Sequence, residues 1–460
     1  MTHIIVIGGG PGGTAAATRA AQLGAKVTLI EKQHLGGNCV NHNCIPFTGM
    51  LASVEALERI RRAGNLGIQV GESGAEISAS IDLAKARARV AGVTEELRMG
   101  ISGLMSSFGV EVIEGTARLA GPRAVIVNGN KLEGDAIILA TGARPGDPPL
   151  HVDGLLTTRQ ALALDKPPAS VLVWGGGAIE VEFAEYFALL GSRVMLVTDQ
   201  VNVLADEDYE VGQRLQSILS GHGVQILTGA ALKSAVLDGS VVKVVVSQRK
   251  GETNLAAERI LWAGHVPLVE GLGLETAGVK LVDGAVPVDV SCQTNVAGIY
   301  AVGDLAGKPM YSYVATLQGL VAAEKALGKK RRIDLKSMPR CVYTIPEAAC
   351  VGLSETEAED QGYEVDVTNI SLETNVRAMT LDEAVGGIKV VFDHKSSKVL
   401  GVHIVGYRAT ELIAEAALAL QLEVLAEDFA WAIRGHPTLC ESMVEAGRAF
   451  VGQALYIPKW

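Results

Sequence analysis

Apolar residues cluster along the chain in short runs separated by glycine, and the runs repeat. His3 to Ile7 is a β-branched apolar run, Gly8 to Gly13 a glycine turn, Thr14 to Leu23 helical in composition, and Lys26 to Ile30 a second apolar run. That order predicts strand, turn, helix, strand. It returns from Val171: an apolar run to Trp174, Gly175 to Gly177, an amphipathic helix to Leu190, and a strand from Val194 to Val197. Two copies of one βαβ unit predict two nucleotide-binding folds. Between them, Ile81 to Phe108 has helical periodicity, and Val110 to Ala140 alternates in short strands with Gly-Pro and Asn-Gly turns. Pro145, Pro148 and Pro149 mark a domain exit, and a further break falls at Lys336 to Pro339, after the basic cluster Lys329 to Arg332. The remainder mixes strands, Ile388 to Phe392 and Val399 to Val405, with a helix from Glu411 to Leu422.

Length and composition narrow the picture. At 460 residues the chain holds about three domains. Its 48% apolar and 20% charged residues exclude disorder and coiled coil. Glycine is in excess, 53 residues, which calls for tight turns and close backbone approaches. A net charge of -11 has the wrong sign for a nucleic-acid binder. Six cysteines in so long a chain make no secreted disulfide framework, and nothing at the N-terminus reads as a signal peptide, so a cytoplasmic location is expected. No apolar stretch is long enough to span a membrane: Leu412 to Ile433 carries Glu415, Glu423, Glu427 and Asp428.

Gly8, Gly10 and Gly13 satisfy G-x-G-x-x-G at a strand-to-helix turn, with Glu31 at the end of the next strand. The first glycine makes the turn, the second admits a pyrophosphate to the helix N-terminus, and the third lets helix and strand pack closely. Glu31 can accept from ribose hydroxyls. A second feature is Gly36-Gly37-Asn38-Cys39-Val40-Asn41-His42-Asn43-Cys44-Ile45-Pro46. Two cysteines five apart can be a redox disulfide, part of a metal site with His34 and His42, or two buried small residues; a zinc site would want C-x2-C spacing and four ligands, so no metal is expected.

With these residues the chain resembles the flavin disulfide reductases of the pyridine nucleotide-disulfide oxidoreductase family over nearly its whole length. Ala140-Thr141-Gly142 resembles the turn that follows the family's FAD-domain strands. Ile299 to Asp304 resembles its second FAD motif, with Asp304 on the ribityl chain. Thr344 to Glu347 and Leu400 to Gly406 resemble the interface domain, and Gly435-His436-Pro437-Thr438-Leu439-Cys440-Glu441 the motif of the catalytic base. Within the family the interface region is most similar to dihydrolipoyl dehydrogenases; the close Tyr456 to Trp460 adds no cysteine pair, so mercuric reductases and large thioredoxin reductases fit less well.

The resemblance implies an α/β fold of two Rossmann-like domains, for FAD and NAD, plus an α+β dimerisation domain. Residues 1–147 and 268–336 would form the FAD domain, 148–267 the NAD-binding-like domain and 337–460 the interface. Cys39 would be the interchange thiol, Cys44 the thiolate against the flavin, and His436, oriented by Glu441, the base acting on the disulfide of the other subunit. A homodimer follows, with a lipoyl-carrying protein or a small dithiol or disulfide as substrate.

Three departures gather on the nicotinamide side. Gly175 and Gly177 are present, but the third glycine is Glu180. A carboxylate about 4 Å from a phosphate charge costs on the order of 4 kcal/mol at an effective dielectric of 20. The acid expected after the next strand is Thr198, with Asp199 adjacent as the residue left to reach a ribose. After the cysteines, Phe47-Thr48 stands where the family has Ser-Lys, which leaves Glu182, the partner of that lysine, seeking another. Cys440 stands where serine is usual. The expected activity is oxidation of dihydrolipoamide through disulfide and FAD to NAD; the alternatives are another acceptor or disulfide substrate, and a non-catalytic FAD-bound scaffold.

Overall fold

Strand His3–Ile7 is buried at every position after its first, because a central parallel strand is covered on both faces. It pairs with Lys26–Glu31 on one side and Ala136–Leu139 on the other; Glu111–Glu114 and Ile299–Ala301 complete a five-stranded parallel sheet. Ile4 and Val6 pack with Ala16, Ala17 and Ala20 of helix Pro11–Gln22 and with Val321 to Ala323 of helix Ser312–Ala326. Ile5 and Ile7 turn to the opposite face, against Leu119, Val125 and Val127 of a small antiparallel sheet. Helix and strand meet with no room to spare: a Cβ on Gly13 would lie 1.8 Å from the Gly8 carbonyl oxygen, and Gly8 itself has φ +106°. Only glycine satisfies both positions.

The protein is seen here as a computed structural model that describes residues 1–69, 79–150 and 152–457; the closing Pro458-Lys459-Trp460 lies outside the described residues. The parallel sheet above belongs to a compact unit of Met1–Met50, Asp82–Pro148 and Gly264–Asp334.

A second compact unit gathers Leu51–Ile81, Pro149–Ala263 and Leu335–Trp460. Its first sheet repeats the βαβ pattern: Ser170–Trp174 pairs in parallel with Arg193–Val197 and Arg259–Trp262, and Gln225–Leu227 and Leu155–Leu156 form the edges. Its second sheet is antiparallel, in the order Arg340–Val342, Glu347–Gly352, Val399–Gly406, Gly387–Asp393, Val365–Ser371. Helices Ala409–Gln421, Ala426–Trp431 and Glu441–Phe450 contribute Ile413, Phe429 and Met443 to the core beneath it.

The periodicities place the elements well. Helix Leu83–Ser107 fills the span read as helical from Ile81, and Ala409–Gln421 the span read from Glu411. One reading needs correction. Helix Ala178–Leu189 is not amphipathic: Val181, Phe183, Ala184, Glu185, Tyr186, Phe187 and Leu189 are all buried, so it is covered on nearly every side. Among the described residues no helix is long and apolar enough to cross a membrane.

Candidate active site

Cys39 lies within the short helix Gly37–Asn41, and Cys44 opens the long helix Cys44–Arg61. Gly36 and Gly37, both at positive φ, turn the chain into the short helix. Asn38 Nδ2 donates to the Ala143 carbonyl at 2.6 Å, and Asn41 Nδ2 to the Gly37 carbonyl at 2.8 Å, so the segment is fixed on both flanks of Cys39. Both cysteines are thiols, Cys39 half-buried and Cys44 exposed. The Cys39 thiol is pulled down from 9.0 to about 7, chiefly by its hydrogen bond with Cys44 and further by Ser312, against burial and the nearby Asp304 carboxylate. The proton belongs to the coupled pair rather than to one sulfur. Reduced protein is therefore expected to be alkylated by iodoacetamide at Cys39 with a rate that rises through pH ~7 rather than the ~8.5 of a free thiol. Peptide mass spectrometry across a pH series reads that midpoint, and Cys44→Ala should raise it.

The first glycine loop suits a dinucleotide. Helix Pro11–Gln22 has no acidic residue in its first turn and no side-chain cap, so its leading amides are available to an anion. A Cβ on Gly10 would meet nothing closer than the Gly37 Cα at 3.7 Å, which leaves the second glycine open to a phosphate. Glu31 is held over the loop, Oε2 accepting from the Gly9 amide at 2.7 Å and Oε1 from the Gln33 amide at 2.8 Å; each oxygen keeps a lone pair for a ribose hydroxyl. Thr141 Oγ1 donates to the Leu268 carbonyl, and Gly142, at φ +74°, accepts from the Leu268 amide. Asp304 sits in the turn Gly303–Ala306, where burial raises its carboxyl against the pull of His265. An amide-lined anion cradle, an oriented acid beside it and a second acid near the cysteines fit FAD.

The second loop shares hydrogen bonding and cap angles with the first, although Gly175 stands at φ +126° where Gly8 is at +106°, and its lining differs. Gly175 donates to the Val197 carbonyl as Gly8 does to that of Ile30, and the N-caps Gly10 and Gly177 share φ and ψ within 2°. Glu180, in the first turn of helix Ala178–Leu189, folds back over it. A Cβ on Gly175 would lie 3.1 Å from Glu180 Oε1, and one on Gly177 2.9 Å from Oε2. Thr198 is buried and turned inward, its Oγ1 accepting from the Gln200 amide, while Asp199 is exposed and accepts from the Gln200 side chain. Trp174 and Trp262 end adjacent strands here, their rings 5.0 Å apart and tilted by 49°. The loop's hydrogen bonding suits a dinucleotide, and the Glu180 carboxylate lies beside it.

Glu182 has found its partner in the backbone: Oε1 accepts from the Tyr343 amide at 2.8 Å. Thr48 supplies no substitute cation, its hydroxyl donating to the Cys44 carbonyl four residues back. Burial pushes Glu182 up to about 8; the Tyr343 amide opposes this, and the carboxylates of Glu180 and Glu185 add to it. A carboxyl raised above its unfolded value of 4.5 keeps a proton that the unfolded chain releases, so stability falls as pH rises from ~4.5 to ~8. Glu182→Gln retains an acceptor for Tyr343 without the charge. It is expected to stabilise the protein at pH 8 by up to ~5 kcal/mol and to do little at pH 4.5, as read by urea denaturation at the two pH values.

In the base motif, His436 Nδ1 and Glu441 Oε1 are 2.9 Å apart, and Glu441 Oε2 accepts from the Thr438 amide at 2.8 Å. Partial burial works against ionisation of Glu441, but the Thr438 amide and the His436 ring outweigh it and hold the carboxyl below its usual value. A histidine with Nδ1 tied to a carboxylate presents Nε2 as the free proton acceptor. His436 is 68% exposed at its side chain. Cys440 is half-buried with Sγ 3.2 Å from the Thr438 hydroxyl. The structure thus joins His436 to Glu441, and brings Cys39, Cys44 and Asp304 together within one unit. Ser312 escaped the sequence reading, since nothing in spacing ties it to a cysteine 273 positions earlier.

Comparison with known proteins places the chain in a family. The family model of pyridine nucleotide-disulphide oxidoreductases matches residues 2–319, and the dimerisation domain of the same family matches residues 338–447. Dihydrolipoyl dehydrogenase from Thermus scotoductus is 38% identical, with 99% of this chain and 98% of that protein aligned; the Zymomonas mobilis dihydrolipoyl dehydrogenase is 36% identical over 98% of each. Among solved structures, LpdA from Mycobacterium tuberculosis superposes with a TM-score of 0.88 at 30% identity, covering 98% of this chain and 99% of that one. The HOCl-induced flavoprotein disulfide reductase RclA from Escherichia coli gives 0.85 at 25%, covering 97% and 99%. The chain belongs to the pyridine nucleotide-disulphide oxidoreductase family, as an α/β flavin disulfide oxidoreductase whose full-length relatives include dihydrolipoyl dehydrogenases.

Proposed function

We propose that this protein oxidises dihydrolipoyl groups, on a carrier protein or as a small dithiol, working as a cytoplasmic homodimer with FAD and NAD. In this reading residues 1–147 and 268–336 hold FAD through Gly8, Gly10, Gly13, Glu31, Thr141, Gly142 and Asp304. Residues 148–267 receive NAD at Gly175 and Gly177, with Asp199 toward the ribose and Glu182 beneath, and residues 337–460 pair the subunits. The observation that carries it is the Cys39–Cys44 pair, two neighbouring sulfurs with a thiol lowered to about 7.

The chemistry of the chain's own residues follows. His436, held by Glu441, reaches the cysteine pair of the other subunit and takes the proton from one substrate thiol. The resulting thiolate attacks Cys39 Sγ of the oxidised pair, the Cys39–Cys44 bond breaks, and Cys44 leaves as thiolate. His436 gives the first proton up to solvent and takes the proton of the second substrate thiol, which attacks the substrate sulfur of the mixed disulfide, forms the substrate disulfide and releases Cys39; Cys39 takes that second proton from His436. Two electrons and two protons leave the substrate, and the cysteine pair is reduced. FAD, when bound, supplies the two-electron acceptor for the reduced pair and NAD the final one.

The test is an anaerobic titration of the FAD-loaded protein. Dihydrolipoamide is expected within seconds to raise the long-wavelength band of a thiolate against the flavin, with bleaching as further electrons enter, and excess NAD to reverse both. A flavin spectrum that dihydrolipoamide leaves unchanged sinks the reading.

A further inference from the structure

The two glycine loops of this chain serve as controls for each other. Their backbones coincide in hydrogen bonding and in cap angles, so both could cradle the same pyrophosphate. In the first, the third glycine leaves the helix N-terminus open. In the second, a carboxylate reaches back across the loop, with Oε1 beside Gly175 and Oε2 beside Gly177. An anion over the amides at a helix N-terminus is where such an anion is stabilised, and it is also where a dinucleotide places its phosphates.

The surroundings hold this arrangement in place. The Gly176 carbonyl accepts from the Leu204 amide at 2.7 Å, so the segment that follows Asp199 is bound to the middle of the loop. A Cβ on Gly176 would meet Thr198 at 3.0 Å, so the threonine fills the space beside the loop that Glu31 occupies beside Gly9. Glu31 is anchored with lone pairs to offer, whereas Thr198 faces inward.

We propose that Glu180 is a built-in competitor for the dinucleotide: its carboxylate occupies the pyrophosphate position of the second loop, and it sets the affinity for NAD by having to leave. The inference deepens the function proposed above and rests on it for the identity of the nucleotide. No covalent bond is made or broken; one anion gives way to another beside the same glycines. The repulsion of two anions held together at the loop sets an upper bound on the cost of moving the carboxylate aside, and NAD is expected to bind about 100- to 1,000-fold more weakly than to the same loop with glycine at 180.

Calorimetric titration of NAD into the oxidised, FAD-loaded dimer tests this without electron flow. Glu180→Gly is expected to tighten NAD binding by at least ~100-fold, and Glu180→Gln, which removes the charge and keeps the atoms, by a smaller factor of about 10 or more. Near-equal affinities for the wild-type protein and Glu180→Gly, within about threefold, overturn the proposal whether both are tight or both are weak. A Glu180→Gly dimer that fails to hold FAD is replaced by Glu180→Gln, for which no tightening is the overturning result. The dithiol reading is judged separately, by the change in the flavin spectrum with dihydrolipoamide in the wild-type protein, so either conclusion can fall while the other stands.

Discussion

Cys44→Ala is expected to abolish dihydrolipoamide oxidation, lowering turnover by on the order of 10⁴-fold or more, while the protein still binds FAD and still dimerises. The reason is stoichiometric. Cys39 alone can form a mixed disulfide with one substrate sulfur, but with no partner sulfur beside it, it cannot start the cycle oxidised, and two electrons have no route from the substrate. Because Cys44 opens a helix at an exposed position, alanine costs little structure there. Steady-state assays with flavin absorbance and sedimentation of the same sample read the outcome. Retained turnover would point to a different sulfur, and Cys440→Ala is the control, expected to stay within about threefold of wild type.

His436→Gln is the second large effect: a fall of about 10²- to 10⁴-fold, the range of a lost general base. It carries a signature that misfolding lacks. As pH rises toward the ordinary thiol range near ~8.5 the substrate ionises unaided, so the deficit should narrow. Glu441→Gln should produce a weaker version of the same profile, since the ring loses a carboxylate anchor but keeps an amide oxygen to hold it.

The sequence carried the fold because its signals are local. Ile4, Ile5, Val6 and Ile7 read as a strand buried on both sides, and Gly13 as a contact point, from a few adjacent residues each. The site was legible as far as adjacency reaches: Cys39 with Cys44, and His436 with Glu441, are five residues apart in each case. Ser312 beside Cys39 and the Tyr343 amide on Glu182 were not, because tertiary packing brings distant segments together without leaving a spacing to read. The helix after the second glycine loop misled for a related reason. Glu180, Glu182 and Glu185 suggest a wet face, yet Glu185 is fully buried and the Glu182 carboxyl is held up by burial, with hydrogen-bond partners drawn from other segments.

The tilted indoles of Trp174 and Trp262 give the second glycine-loop fold an optical identity of its own. The chain has four tryptophans, and these two, on neighbouring parallel strands, are 5.0 Å apart. Transition dipoles at that separation and tilt couple as an exciton pair, so they produce a signed couplet in ultraviolet circular dichroism that neither ring gives alone. Separating the strands erases it. Heating the dimer while following the couplet together with flavin release would therefore time the melting of this fold against that of the flavin-binding one, in a single cuvette and without a label.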